Sequence, residues 1–171
     1  MSIFDSLFGK HDAAAPAQSH SAGATHVAHR TLYYDPDLIP RLTQEHHALE
    51  RLFGEIKQSH SARDFAALGR ALQKFQLTLN LHLATEQAEF YTYLHKNLKQ
   101  GSAEYSAVSN SWAEMQQLGN AVAEFLARHN SSEINAETHG AFGAQFELLG
   151  TALMKRIKHE EEKLYGLYAP A

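Results

Sequence analysis

The sequence has no cysteine, which excludes disulfides, thiolate zinc sites, iron–sulfur clusters and cysteine nucleophiles. Proline is scarce, and none of its four copies lies between residues 41 and 169. No apolar run approaches the roughly 18 residues that a membrane-spanning helix needs. The first ten residues also lack the basic and apolar regions of a secretion signal. We therefore expect a cytoplasmic protein whose sites use oxygen and nitrogen ligands.

Clustered positive charge is also missing. The 15 lysine and arginine residues form no long run, and the formal net charge is −4. Such a chain gives no electrostatic support for binding nucleic acid or an anionic membrane surface. A Gly-rich phosphate loop, a Ser-His-Asp arrangement and a dinucleotide-binding fingerprint are absent as well. The sequence therefore does not predict an enzyme.

Histidine, in contrast, is abundant, with 12 copies. Four of them lie in an Ala/Ser/Gly-rich stretch over residues 11–30, which predicts a flexible polar tether: His11, His20, His26 and His29. The preceding segment, IFDSLF, predicts a short amphipathic turn that docks on a protein partner or on the rest of the chain. We assign residues 1–30 to this tail and residues 31–171 to one domain.

The domain is predicted to be all-α, because it contains no helix-breaking proline and no strand-like alternation. Turn-like segments divide it at residues 59–64, 99–102 and 129–140. The four resulting helices are predicted at roughly 38–58, 62–98, 103–129 and 137–168. Their short connections favour antiparallel neighbours, and so an up-down-up-down four-helix bundle.

Apolar residues recur at steps of three and four along each helix and define the face toward the core. Polar residues interrupt three of these stripes at His46, His82, Glu86, Arg156 and Glu160. Burying such groups unpaired is costly, so their positions need a reason. His82 and Glu86 are four residues apart and can reach one ion from the same helix face. A shift of 74 residues aligns this pair with Arg156 and Glu160.

The depth of these residues along the bundle shows whether they can meet. The last three helices agree in depth, whereas His46 and His82 differ by roughly 10 Å at 1.5 Å per residue with the predicted turns. His46 is preferred over His47, which is rotated about 100° off the stripe. The sequence therefore predicts a mismatch at the first helix.

These segments resemble the hemerythrin-like, or HHE cation-binding, family. The resemblance covers about residues 36–168 and rests on EHHAL, on HLATE followed by EFY, and on RIKHEEEKLYGLY. It implies a four-helix bundle that holds non-haem iron, usually as a pair. The implied metal ligands are His46 (or His47), His82, Glu86 and Glu160. It also implies binding or sensing of dioxygen, nitric oxide or a related small ligand.

Two residues depart from the family pattern. Met115 stands where the third helix of the family offers a histidine, and a thioether is a poor ligand for such iron. Arg156 stands at the corresponding place in the fourth helix, and a guanidinium cannot coordinate a metal. His159 faces off the stripe. We therefore expect a mononuclear or partial dinuclear iron site, in which Arg156 between Glu86 and Glu160 supplies part of the missing positive charge.

The neighbouring residues are predicted to be structural. Met115 and Trp112 pack in the core. Four tyrosines close one end of the bundle, where a hydroxyl near a metal is compatible with the pattern: Tyr91, Tyr93, Tyr165 and Tyr168. The segment KHEEEK (158–163) is a solvated face apart from Glu160, with Glu161 as a candidate exception.

Two functions remain open at this point. The first is a metal-binding protein that responds to a small diatomic ligand. The second is a metal-free descendant of the same fold, held together by Arg156, that acts as a regulatory or protein-interaction module through its surface and residues 1–30.

Overall fold

The computed structural model describes residues 33–129, residue 135 and residues 137–171. The tail predicted over residues 1–30 lies outside these described residues. Within them the regular structure is helical and no strand occurs. The α-helices are α1 (Leu38–Ser61), α2 (Phe65–Thr85), α3 (Thr92–Asn97), α4 (Ala103–Arg128) and α5 (His139–His159).

Two π-helical turns extend these helices into a four-helix bundle. The turn Glu86–Tyr91 joins α2 to α3, so that both form the second helix of the bundle. The turn Glu160–Leu164 continues α5 and leads into a 3-10 turn at Tyr165–Leu167. The predicted all-α bundle is therefore confirmed. None of the described helices is both long and apolar enough to cross a membrane.

Local side-chain chemistry sets where the helices begin. The Asp64 carboxylate accepts a hydrogen bond from the Ala67 backbone N–H, and Ser102 does the same for Tyr105. Both bonds satisfy N–H groups that the first turn of a helix leaves free. Before Asp64 the chain reverses direction at Arg63, whose φ of 54° is left-handed.

The position of this chain reversal shows that His46 and His82 lie at similar depths along the bundle, contrary to the prediction. Helix α1 runs to Ser61, three residues beyond the predicted end, and α2 begins at Phe65. His46 then lies 17 residues before Arg63 and His82 lies 19 residues after it. Their imidazole ring centroids are 4.7 Å apart. The prediction was wrong because it placed the turn too early, which shifted every depth on α1.

The core consists of two apolar clusters with a polar layer between them. One cluster contains Ile56 and Leu68 beside the α1–α2 turn, and the other contains Leu38 and Leu164 toward the opposite end. Between them along the helices lie the buried polar residues His46, His82, Glu86, Ser111, Arg156 and Glu160. Packing on both sides therefore removes this layer from water.

Candidate metal centre

Four buried side chains converge in the polar layer. His46 comes from α1, His82 from the last turn of α2, and Glu86 and Glu160 from the first residues of the two π turns. Each offers one ligand atom, and these atoms all lie within 4.8 Å of one another. None of the four side chains is more than 2% exposed. The arrangement presents two nitrogen and two oxygen donors to one point.

The outward nitrogen of each imidazole is held by a carboxylate. His46 donates from Nδ1 to Glu161 over 2.8 Å, and His82 donates from Nδ1 to Glu45 over 2.8 Å. The Nε2 atoms face inward, with His46 Nε2 3.4 Å from Glu160 Oε2 and His82 Nε2 3.7 Å from Glu86 Oε2.

Arg156 forms a second buried network on the opposite side of Glu160. Its Nε donates to Glu160 Oε1 over 2.7 Å, and its Nη1 donates to Ser111 Oγ over 2.6 Å. Its Nη2 donates to the Tyr91 hydroxyl. No hydrogen bond joins it to Glu86 in the described part of the chain. The guanidinium therefore pairs with one of the two predicted glutamates and influences the other only through its charge.

Glu86 is correspondingly short of partners. Its Oε1 accepts a hydrogen bond from the Tyr165 hydroxyl over 3.2 Å. Its Oε2 is buried and has no hydrogen-bond partner among the described residues, since His82 Nε2 at 3.7 Å is too far away. A buried carboxylate oxygen without a partner carries a large desolvation cost. This oxygen is therefore available to a cation.

The two glutamates consequently differ in their pKa values. Burial and the nearby charge of Glu160 raise the pKa of Glu86 well above its usual value. Burial also acts on Glu160, but the hydrogen bond to His46 and the charge of Arg156 outweigh it and lower the pKa of Glu160. Glu160 is thus a stable carboxylate in the metal-free protein, whereas Glu86 is penalised as an anion.

The pKa values of the two histidines are also shifted in opposite directions. Burial alone would lower the pKa of His46, but its hydrogen bonds to Glu160 and Glu161 raise it overall. For His82 burial prevails, with help from the charge of His46, and the pKa is lowered despite the bond to Glu45. A neutral imidazole is the form that binds a metal, and His82 favours it.

A pseudo-symmetry relates the two halves of the site. The 74-residue shift that aligns the glutamates also aligns Tyr91 with Tyr165. In each half the glutamate begins the π turn, and the tyrosine lies at or directly after its end. Each hydroxyl reaches across to the glutamate of the other half, Tyr165 to Glu86 and Tyr91 to Glu160 at 3.5 Å. Directly after the first π turn, the Thr92 hydroxyl also donates to the backbone carbonyl oxygen of Gln87. Such π turns occur often at functional sites.

The structure brings together all four residues that the sequence proposed as ligands; whether they hold a metal stays a prediction. Sequence reasoning missed Ser111 and Glu45 entirely and left Glu161 undecided. Ser111 lies one helical turn before Met115 on the buried face of α4, a spacing that could have identified it. Glu45 and Glu161 are flanking polar residues, and periodicity gives no signal for these.

A groove of about 310 Å³ opens between α2 and α4 beside the site. Met115 and Trp112 contribute to its lining, and Met115 is buried as predicted whereas Trp112 is only partly so. The remaining lining residues are Asn80, Leu83, Ala84, Gln87, Gln116, Gly119 and Asn120. None of these side chains is a nucleophile or a titratable acid or base.

Comparison with known proteins assigns a family. The sequence model described as "Hemerythrin HHE cation binding domain" matches residues 37–168. No curated protein and no solved structure matches the chain. The matched range contains all four converging side chains. Family and cluster together indicate a metal-binding protein.

Proposed function

The chain belongs to the hemerythrin HHE cation-binding domain family, and from this premise we propose that its buried cluster binds a single iron ion. The main observation in support of this proposal is that Glu86 Oε2 is buried and has no hydrogen-bond partner among the described residues. It belongs to a side chain of the group whose four ligand atoms lie within 4.8 Å of one another. A cation at this point would give that oxygen a partner. The ligands would be His46, His82, Glu86 and Glu160.

The buried charges support one cation. Two carboxylates, Glu86 and Glu160, face a single guanidinium, Arg156, so the metal-free layer contains more negative than positive fixed charge when both carboxylates are ionised. Glu160 Oε1 is already occupied by Arg156, which leaves Oε2 for a metal. The described part of α4 contributes Ser111 to this layer and no imidazole. A second metal would lack ligands.

The donor set suits iron. Imidazole nitrogen and carboxylate oxygen are the ligands of non-haem Fe(II), and four of them leave positions open on a six-coordinate ion. When bound, the iron would supply an open position for dioxygen, nitric oxide or a related small ligand.

One observation favours the alternative, a metal-free bundle that acts as an interaction module. Arg156 satisfies Glu160, Ser111 and Tyr91 without any metal. Such a module would still have to tolerate the unpartnered oxygen of Glu86, which a purely structural network has no reason to keep. We therefore rank the metal-binding function first.

Metal content tests the proposal. Protein loaded anaerobically with Fe(II) and then desalted should retain about one iron per chain by inductively coupled plasma mass spectrometry. His82→Ala and Glu86→Gln should lose most of it, because each removes one of only four ligands. His47→Ala is the matched control, since His47 is exposed and adjoins His46. No retained iron in a wild-type protein that melts cooperatively would contradict the proposal and favour the interaction module.

A further inference from the structure

Two carboxylates that are not among the four proposed ligands form hydrogen bonds between the helices of the site. Glu161 follows the ligand Glu160 on the second π turn and binds His46 of α1. Glu45 precedes His46 on α1 and binds His82 of α2. Each carboxylate thus adjoins one ligand in the chain and holds a ligand on another helix. Both side chains are 36% exposed and stand at the boundary between the buried layer and water.

These contacts select the nitrogen that faces the cluster. A neutral imidazole carries one proton, and a carboxylate at Nδ1 keeps the proton there because it can only accept a hydrogen bond. In a neutral ring the lone pair is then left on Nε2, which is the inward atom of both His46 and His82. At His46 this atom lies 3.4 Å from Glu160 Oε2, and it can bind a metal only when it carries no proton. Without the carboxylate, the ring is free to take the other tautomer, which points an N–H bond at the metal position.

We propose that Glu45 and Glu161 are positioning residues that fix the Nδ1–H tautomer of His82 and His46 and thereby set metal affinity. The inference rests on the proposed metal-binding function. A hydrogen-bonded carboxylate also makes the imidazole a more basic ligand, and loss of such a partner typically lowers metal affinity about 10–100-fold. Both carboxylates are partly solvated, so removing either deletes no fully buried anion, although it leaves the Nδ1–H of a buried imidazole without its partner.

Zinc affinity provides the first test, because Zn²⁺ binds imidazole and carboxylate ligands and is redox-inert. Competition with a chromophoric chelator should show affinity falling about 10–100-fold for Glu45→Ala and for Glu161→Ala. The Gln variants should fall between wild type and Ala, because the amide oxygen still accepts from Nδ1–H without the charge. Glu50→Ala, an exposed change on α1, should leave affinity unchanged.

The tautomers provide a second readout that a merely structural role would not move. In ¹⁵N NMR spectra of the zinc-loaded protein, both imidazoles should show a protonated Nδ1 and a zinc-bound Nε2. Glu161→Ala should alter the signals of His46 first, and Glu45→Ala those of His82 first. Unchanged affinity, or affinity loss without residue-specific change in these signals, would overturn the positioning role alone. A wild-type protein that retains no zinc would overturn the metal-binding function and this inference with it.

Discussion

The half of the site on α2 and the half on α5 each place a glutamate at the start of a π turn, but they carry different residues four positions before it. In both, a glutamate opens a π turn and a tyrosine stands five residues later. Four residues before the glutamate, the α2 half has His82 and the α5 half has Arg156. The arginine satisfies its glutamate in the absence of metal, whereas the histidine leaves an oxygen of Glu86 without a partner.

This difference divides two tasks between the halves, because one half stabilises the bundle and the other provides an unsatisfied carboxylate for a ligand. The α5 half contributes a fixed cation that holds Glu160 as an anion at ordinary pH. The α2 half keeps a neutral imidazole and an unsatisfied carboxylate, which costs stability in the absence of a cation. A bound metal would offset that cost, because a ligand that binds only the folded state stabilises it.

Removing the guanidinium should cause the largest loss of stability, because it takes away the cation that distinguishes the α5 half from the α2 half. Arg156→Ala should lower the free energy of unfolding of the metal-free protein by about 3–5 kcal/mol, because it leaves Glu160 buried and without its cation. Urea denaturation in the presence of a chelator measures the loss. Lys155→Ala, at an exposed neighbouring position, should change stability by no more than about 0.5 kcal/mol. A loss below about 1 kcal/mol for Arg156→Ala would count against a buried charge network.

Neutralising each glutamate in turn should give effects of opposite sign. Glu160→Gln should destabilise the metal-free protein by about 1.5–3 kcal/mol, since it weakens charge-assisted bonds to Arg156. Glu86→Gln should stabilise it by about 1 kcal/mol, because it removes a buried carboxyl group whose ionisation is penalised and whose Oε2 has no partner among the described residues. Chemical denaturation of both variants at neutral pH compares them directly. Destabilisation of similar size in both would mean that the halves are equivalent.

The pH dependence of stability should also distinguish Glu86 from Glu160, with smaller changes in free energy than the substitutions above. The pKa of Glu86 is raised on folding, so its contribution is fully present below the usual value of 4.5 and is lost as pH rises through the raised pKa. The pKa of Glu160 is lowered, so its contribution is present above 4.5 and is lost as pH falls through the lowered pKa. Each slope is at most about 1.4 kcal/mol per pH unit.

The measurement is the unfolding free energy of wild type minus that of each Gln variant, for chelator-treated protein between about pH 3 and pH 8. This difference should fall with rising pH for Glu86→Gln and rise with it for Glu160→Gln. Slopes of the same sign for both would contradict the assignment of opposite pKa shifts.

Much of the fold could be predicted from the sequence because apolar spacing alone defines four amphipathic helices. The polar interruptions likewise indicated which side chains enter the core, since a buried His82 or Glu86 needs a partner. The depth of α1 was wrong because three extra residues at the end of a helix move a turn without changing any stripe. Spacing along a helix says which face a residue occupies, and it does not say which residue lies opposite.

Finer features of the site depend on contacts that no periodic pattern encodes. Arg156 was predicted to lie between both glutamates, yet Ser111 and Tyr91 draw its guanidinium to the side of Glu160. The carboxylates that hold the histidines come from flanking polar positions, where many side chains would preserve the helix equally well. The π turns are also hidden, because a period of 3.6 residues is assumed when a helix is read from sequence.

The π turns have an evolutionary consequence. Each adds one residue to the turn that follows an α-helix, and this returns the tyrosine five residues after the glutamate to the face of the site. Deleting one residue inside either turn would rotate everything that follows by about 100° and withdraw that hydroxyl. The histidine and glutamate ligands before the deletion would stay in place. Single-residue insertions and deletions are therefore a route by which relatives of this chain could gain or lose a hydroxyl beside the buried cluster while keeping its histidines and glutamates.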